Sequence, residues 1–449
     1  MFGLWAFLAV WGCSGIALDR TSPYPWAAQD FSQDIVDAIL TTLRTGYAVL
    51  DVTTGDVVMQ RAAQDLFIPA SLAKIPSVIA LATYVSGVSR PQTRLVRTGP
   101  VIDGVIQGDL VLVGDSDPMF DTVAAADMVH ALRRKGIRAV RGRFLFYESS
   151  LPFLTSIEPT QPRDAPYNPG LSGLSINFNR YRVVWRDGVA QGVDIPLFPL
   201  PLEEDVLTPR SVPSGSAWLP VRRPGFFAAL VMRYLAEQEG LMLPKPQKIS
   251  TQPIGQVLVT YEGDDLYTAL RRAFRYSNNI AFEMMALSVT GRTKIQSAAR
   301  DILSVVKKNV SGTPWSGATL RNASGLSAGT RLSPMQCATM VRYMAVTRVR
   351  DLFLSDLLPR WSEYRGKEAV YAKSGTMSYV RALAGLMTIS NGKRVAWCIM
   401  SDDQKNRMRY DQLLLSLRRQ GHEKEKVQAW SAAARQREKL LVQRWLSTL

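Results

Sequence analysis

The pattern of apolar and polar positions alternates between strand-like and helical stretches along the 449-residue chain. Residues 46–52, a Thr-Thr-Gly-Asp turn and residues 57–59 predict a strand, a turn and a second strand. Near the end, two apolar stretches, 383–389 and 394–400, flank Asn391-Gly392, a strong local signal for a hairpin. The chain therefore predicts a fold that mixes sheet and helices. Helical periodicity is predicted for 34–45, 71–85, 226–241, 265–274, 278–289 and 334–346.

After the first predicted helices, the pattern of residues changes from helical to strand-like. This stretch begins with strand-like residues punctuated by Gly and Asp, and Pro-rich segments at 159–169 and 196–224 indicate loops and domain boundaries. We therefore expect an inserted, β-rich region at 91–220. It interrupts one domain formed by 18–90 and 221–421.

The last segment, 422–449, predicts an amphipathic helix in which Arg and Lys alternate with apolar residues. Two interpretations stay open. The helix docks on its own domain, or it makes peripheral contact with an anionic membrane surface. We expect docking ahead of membrane contact.

The amino terminus resembles a secretory signal. Residues 4–17 form a short apolar stretch that ends in the small-residue pattern Gly15-Ile16-Ala17, which predicts a signal peptide at 1–17 with cleavage after Ala17. Lipid anchoring at Cys13 and a buried N-terminal helix are the alternatives.

Composition limits the available chemistry. The chain has 54 Lys plus Arg against 38 Asp plus Glu, a net charge of +16, and only two histidines, His130 and His422. A His-rich zinc site cannot be built, so we expect neither a metal nor a cofactor, and hydrolysis would run without histidine. The basic residues are scattered, which indicates attraction to anionic surfaces rather than nucleic-acid recognition. Cys337 and Cys398 lie in no metal or redox motif, so two buried thiols are expected, and their pairing stays open.

A serine nucleophile can instead be activated by a neutral lysine within hydrogen-bond reach. Ser71-Leu72-Ala73-Lys74 offers this pair, because residues three apart face the same side of a helix. Ser304-Val305-Val306-Lys307 and Ser390-Asn391-Gly392-Lys393 have the same spacing. The two further motifs of such enzymes, Ser-x-Asn and Lys-Thr/Ser-Gly, follow in order only after Ser71, as Ser277-Asn278-Asn279 and Lys373-Ser374-Gly375. Ser175-Ile176-Asn177 is a second Ser-x-Asn match that order alone does not exclude, but it lies in a stretch rich in Pro and Gly, whereas Ser277 opens a helical run.

Each residue of this set has a chemical task. Lys74 is the base for Ser71, Ser277 relays a proton to the leaving amine, and Asn279 orients Lys74 and the substrate amide. Lys373 lowers the pKa of the Lys74 amine as a second cation. The third motif lies on a predicted strand, where Lys373 and the hydroxyls of Ser374 and Thr376 grip a substrate carboxylate and Gly375 lets the substrate approach the backbone. The N–H group of Thr376 on this strand and that of Ser71 form an oxyanion hole.

On these motifs the chain resembles the serine-type D-alanyl-D-alanine carboxypeptidases of the class C low-molecular-mass penicillin-binding proteins, a family that also includes endopeptidases. Ser71 and Ser277 are 206 positions apart in the sequence, which agrees with the large insertion that distinguishes this family. Three further segments are similar to family segments: 108–118, 174–179 and 322–327.

The resemblance implies an α+β fold, with a penicillin-binding/β-lactamase-like transpeptidase domain whose antiparallel sheet is packed by helices. It also implies a periplasmic enzyme that acts on peptidoglycan stem peptides and is acylated by β-lactam antibiotics. The rival interpretations are a β-lactamase or esterase on the same scaffold, a catalytically lapsed scaffold that binds cell wall, and a nucleic-acid binder on charge alone.

Overall fold

The computed structural model describes residues 44–449 except 187–188, 193–214, 363, 365–368 and 414–420. The predicted signal peptide, Cys13 and most of the helix predicted for 34–45 lie outside these residues, while residues 44 and 45 belong to a strand.

The described residues form eighteen strands, several of them only two residues long. They are β1 (Arg44–Asp51), β2 (Val57–Arg61), β3 (Gln92–Arg97), β4 (Val101–Ile102), β5 (Val105–Ile106), β6 (Leu110–Val113), β7 (Ala139–Val140), β8 (Phe144–Tyr147), β9 (Arg180–Arg186), β10 (Val189–Gly192), β11 (Gly215–Pro220), β12 (Gln247–Ile249), β13 (Gln256–Glu262), β14 (Arg348–Val349), β15 (Leu352–Phe353), β16 (Tyr371–Met377), β17 (Val380–Thr388) and β18 (Arg394–Asp402).

Nine α-helices and three short 3₁₀ turns complete the described part of the chain. The helices are α1 (Lys74–Ala82), α2 (Thr122–Arg134), α3 (Pro224–Gln238), α4 (Leu266–Arg275), α5 (Asn279–Thr290), α6 (Ile295–Asn309), α7 (Pro334–Val346), α8 (Gln404–Gln412) and α9 (Gly421–Thr448), and the turns are Ala70–Ala73, Asn177–Asn179 and Leu354–Leu357.

The largest antiparallel sheet carries strands from both ends of the described chain, in the order β16-β17-β18-β1-β2. The predicted Asn-Gly turn joins β17 to β18, as expected. Ala48, Ala384 and Cys398 are paired side by side on three neighbouring strands. Their side chains face a core formed with α1, α4, α5, α6 and α7. Ser333 and Gln336 form a reciprocal capping box, which satisfies backbone N–H groups at the start of helix α7 in this core. The α+β architecture, an antiparallel sheet packed by helices, is confirmed.

Helix α9 covers the opposite face of the same sheet. Trp445 is fully buried against the rings of Tyr47 and Trp397, at centroid distances of 5.4 Å and 6.1 Å. The apolar side of the C-terminal helix is thus used within the protein, as the docking interpretation expects. None of the described helices is both long and apolar enough to span a bilayer.

A second five-stranded sheet, β12-β8-β6-β3-β13, builds the inserted region and has its own core with α2 and α3. Strand β13 pairs with β3, from Glu262 opposite Gln92 to Gln256 opposite Arg97. The expected end of the insertion at residue 220 is therefore too early. Residues 221–262 pack with the inserted region, since closing this sheet requires the strands that follow α3.

Both cysteines outside the amino terminus are free thiols in the core, as expected. Cys337 lies on α7 and Cys398 on β18, and both are fully buried. Burial raises the pKa of the Cys398 thiol far above its ordinary value, and the adjacent Cys337 thiol adds to this effect.

Candidate active site

Ser71 and Lys74 lie where the chain passes from a 3₁₀ turn into α1. Ser71 is within the turn Ala70–Ala73, and Lys74 is the first residue of α1, so the helix proper begins three residues later than predicted. The three-residue spacing still sets the Lys74 Nζ 3.2 Å from the Ser71 Oγ. Ala70 has a φ of +46°, a strained value for a non-glycine residue of the kind that occurs at functional sites.

The Lys74 amine is fully buried and has three oxygen neighbours. It donates to the Asn279 side-chain oxygen at 2.7 Å and to the Ser324 carbonyl at 2.6 Å. Neither acceptor can donate in return, so in a neutral amine they occupy both N–H bonds. The lone pair is then left for the Ser71 hydroxyl, which is the geometry that a general base needs.

Three influences set the protonation of Lys74. Burial is the largest and lowers its pKa well below 10.5, and the charge of Lys373 lowers it further. Glu283 opposes them but does not reverse the shift. Both oxygens of this buried carboxylate accept backbone N–H bonds from Ala323 and Ser324, so it also fixes the loop whose carbonyl holds the amine.

Ser277 and Asn279 flank the start of α5. Ser277 lies in the tight turn after α4 with a φ of +53°, and Asn279 is the first residue of the helix. Between them, Asn278 caps α5 by accepting the N–H of Ala281 at 3.1 Å. Asn278, the middle residue of the second motif, therefore has a structural role as the N-cap of α5.

Strand β16 carries the third motif along the edge of the large sheet. Lys373 is almost fully buried and donates to the Ser374 carbonyl at 2.8 Å. Burial, followed by the charge of Arg381, lowers the pKa of Lys373 to about 8. The amine is thus a cation at neutral pH, close enough to Lys74 to influence it.

Gly375 has a packing role that the sequence did not indicate. A side chain there would meet the Pro69 carbonyl oxygen at 2.5 Å and the Ser71 nitrogen at 2.9 Å. The missing Cβ therefore lets β16 pack directly against the backbone that presents the nucleophile. What approaches closely at this position is the protein's own chain.

Asn322 holds the shape of the loop 322–327. Its side-chain oxygen accepts the N–H of Gly325 at 3.0 Å. Gly325 has a φ of +77°, and a Cβ there would meet the Ala70 carbonyl at 1.9 Å. The loop therefore packs in close contact with the turn that holds Ser71.

These elements surround a cavity of about 290 Å³. Ser71, Ser277, Asn279 and Thr376 line it, and the two lysines lie buried behind the wall. Thus the structure brings residues of all three motifs to one cavity, although Ser374 and Gly375 of the third motif are not among the residues that line it. The other lining residues are Ala70, Gln161, Pro162, Tyr167, Gly325, Leu326, Met377, Ser378, Arg407 and Tyr410.

Two parts of this wall were not foreseen. The inserted region contributes Gln161, Pro162 and Tyr167, and the Tyr167 carbonyl accepts a hydrogen bond from the Asn279 amide at 2.9 Å. The Pro-rich segment that predicted a boundary therefore reaches into the site. Helix α8 contributes Arg407 and Tyr410, for which the polar sequence of this helix offered no signal.

Comparisons with known proteins identify the family of the chain and its fold. The model of the D-Ala-D-Ala carboxypeptidase 3 (S13) family matches residues 27–194 and 207–419. Penicillin binding protein 4 from Haemophilus influenzae is similar in structure, with a TM-score of 0.68 and 18% identity over 82% of this chain and 93% of that one. A predatory endopeptidase from Bdellovibrio bacteriovorus, Bd3459, has a TM-score of 0.51 and 13% identity over 90% and 93% of the two chains. These two likenesses indicate a shared fold.

Proposed function

The chain belongs to the D-Ala-D-Ala carboxypeptidase 3 (S13) family and is a serine-type D-Ala-D-Ala carboxypeptidase, and we propose that Ser71 carries the acyl group during its hydrolysis of peptidoglycan stem peptides. One observation carries this assignment. Two pure acceptors hold the buried Lys74 amine so that its lone pair faces the Ser71 hydroxyl. No other described feature of the site would make a serine reactive.

In the acylation step, Ser71 Oγ attacks the carbonyl carbon of the penultimate D-Ala as Lys74 takes its proton. The N–H groups of Ser71 and Thr376 stabilise the negative charge that forms on the carbonyl oxygen. Collapse of the intermediate breaks the peptide C–N bond, and the proton passes from Lys74 through Ser277 to the departing amine. D-Ala leaves, and the peptide remains as an ester on Ser71.

In the deacylation step, water occupies the place that D-Ala vacates. Lys74, neutral again, accepts a proton from this water, and the hydroxide oxygen attacks the ester carbonyl. Breaking the ester bond returns the proton to Ser71 and releases the shortened peptide. The same residues thus serve both halves of the reaction.

A β-lactam would acylate Ser71 by the same attack, and the ester would persist. The leaving nitrogen of a β-lactam stays tethered to the acyl group, so it does not clear the path for water. Among the described residues that line the cavity there is also no Asp or Glu to activate water at another angle. The chain further lacks the Glu-x-x-Leu-Asn pentapeptide of class A β-lactamases. Slow release separates this proposal from the β-lactamase alternative.

Covalent labelling tests the assignment. Fluorescent penicillin should label the purified protein, and Ser71→Ala should abolish the label. Ser304→Ala is the matched control, because Ser304 and Lys307 have the same spacing on the exposed side of α6. Equal labelling of wild type and Ser71→Ala would reject Ser71 as the nucleophile, and rapid turnover of a chromogenic cephalosporin would favour the β-lactamase alternative.

Cutting of peptide cross-links and a periplasmic location are also part of the proposal. A cavity walled partly by the inserted region, through Gln161 and Tyr167, has room for contacts beyond the D-Ala-D-Ala end. Mass analysis of digested peptidoglycan separates the two activities, because loss of one D-Ala and cutting of a dimer give different masses. Membrane contact through α9 stays a prediction, and vesicle co-sedimentation would test it.

A further inference from the structure

A row of polar side chains crosses the large sheet beneath α9. Thr376, Arg381, Ser401 and Thr45 are directly paired neighbours on four adjacent strands, so their side chains lie on one face. This is the face that α9 covers. A polar row under a helix is costly unless each group finds a partner.

Ser401 and Thr45 hydrogen-bond to each other at 2.9 Å, and two consecutive residues of α9 supply partners for Thr45 and Arg381. Arg437 donates to the Thr45 hydroxyl at 3.2 Å, and Glu438 accepts from Arg381 at 2.6 Å through Nη2 and at 3.1 Å through Nε. The side chains of Arg381 and Glu438 are only 3% and 1% exposed. Because removing either partner would strand a buried charge, this pair fixes the guanidinium group firmly.

The free edge of this guanidinium points toward the active site. Arg381 Nη1 donates to the Thr376 hydroxyl oxygen at 2.7 Å. Thr376 itself is exposed and lines the cavity. Because the arginine donates, the hydroxyl acts as acceptor in this bond, and its own hydrogen is free to point outward. A hydroxyl polarised in this way by a cation is a stronger donor to an anion.

We infer that Arg381, held by Glu438 of α9, is a positioning residue that orients and polarises the Thr376 hydroxyl for the terminal carboxylate of the substrate. This inference rests on the proposed function, since it assigns how the carboxylate of a D-Ala-D-Ala peptide is recognised. It also makes the C-terminal helix a part of substrate recognition. The alternative is that the buried ion pair only joins α9 to the sheet.

A double variant separates these possibilities. Arg381→Met together with Glu438→Leu replaces the ion pair by apolar side chains of similar size, which often preserves stability. The exchange removes one positive and one negative charge, so the net charge around Arg437 is unchanged. A merely structural pair should then be replaceable without loss of activity, whereas a positioning residue should not be.

The assay compares a peptide ending in D-Ala-D-Ala with the same peptide ending in D-alaninamide, which lacks the carboxylate. For the acid we expect KM to rise about tenfold in the double variant, with little change in kcat, because one charge-assisted contact to bound substrate is weakened. For the amide, kcat/KM should not change. Glu438→Gln, which keeps the shape of the pair, should produce a smaller rise in KM for the acid alone.

Glu423→Gln is the matched control. It removes a different ion pair of α9, between Glu423 and Arg409 at 2.8 Å. Wild-type kinetics with the acid in the double variant, or equal losses with acid and amide, would overturn the inference while leaving the proposed function intact. A wild-type protein that cleaves neither peptide and is not acylated by penicillin would overturn both.

Discussion

Gly375→Ala is the sharpest single test of how the nucleophile is positioned. The backbone at Gly375 is not in the left-handed region, so an alanine is conformationally tolerable there. Its Cβ, however, would be 2.5 Å from the Pro69 carbonyl oxygen and 2.9 Å from the Ser71 nitrogen. One methyl group therefore acts directly on the contact between β16 and the turn that presents Ser71.

The size of the effect follows from the distance. Ordinary contact begins at 3.4 Å, so β16 and the 69–71 backbone must separate by about 0.9 Å. Displacing a reacting group by about 1 Å costs about 100-fold in rate, equivalent to about 2.7 kcal/mol. The same movement separates the N–H groups of Ser71 and Thr376, which together would form the oxyanion hole. We expect acylation by penicillin to slow by about this factor.

The assay is the second-order rate of labelling by fluorescent penicillin, measured alongside the melting temperature. Gly255→Ala is the control, because its Cβ would meet the Arg97 carbonyl at 2.2 Å, within the inserted region. It should affect stability and leave acylation unchanged. Wild-type labelling rates for Gly375→Ala would refute the argument that close packing of β16 places the nucleophile.

Two further predictions concern the base. The pH profile of kcat/KM should rise as Lys74 loses its proton, well below pH 10.5 because its pKa is lowered, and should fall near pH 8 as Lys373 loses its charge. Lys373→Arg should move the upper limb to higher pH, and a wild-type rate that still climbs steadily above pH 8 would contradict the role of Lys373. Asn279→Ala removes an acceptor that orients Lys74 and should slow acylation about 100-fold. Asn278→Ala removes only a helix cap and should cost about 1 kcal/mol of stability with normal acylation, so similar acylation by the two variants would count against an orienting role for Asn279.

Much of the fold was predictable from local patterns, and what was missed has identifiable causes. The predicted helices at 265–274 and 334–346 lie within a residue of α4 and α7. Helix α6 was not predicted, although its apolar residues recur at helical spacing and so carry a local signal. Helix α8 is polar almost throughout, and only contacts in the folded protein reveal it. The pairing of β13 with β3 joins residues far apart in sequence, which no local pattern encodes.

The functional site likewise contains residues that the sequence predicted and residues that it did not. Ser71, Lys74 and their partner motifs were predictable because reactive chemistry needs particular residue types in a particular order. The contribution of Tyr167 was not, because it acts through a backbone carbonyl, which every residue type possesses. The role of Arg381 could not be predicted among 40 arginines, because it depends on the strand register that sets Arg381 opposite Thr376.

The positive charges around the site influence the reactivity of the serine. Burial has the largest influence on the pKa of both lysines, and a neighbouring positive charge lowers each pKa further. Arg381 lowers the pKa of Lys373, and Lys373 lowers the pKa of Lys74. Glu438, 2.6 Å from Arg381, partly offsets the first of these charges and keeps it in place. The scarcity of histidine is therefore no obstacle to hydrolysis at neutral pH. A buried lysine can replace it because the fold withholds water from the amine and sets a second cation nearby, and both effects favour the neutral form that removes the proton from Ser71.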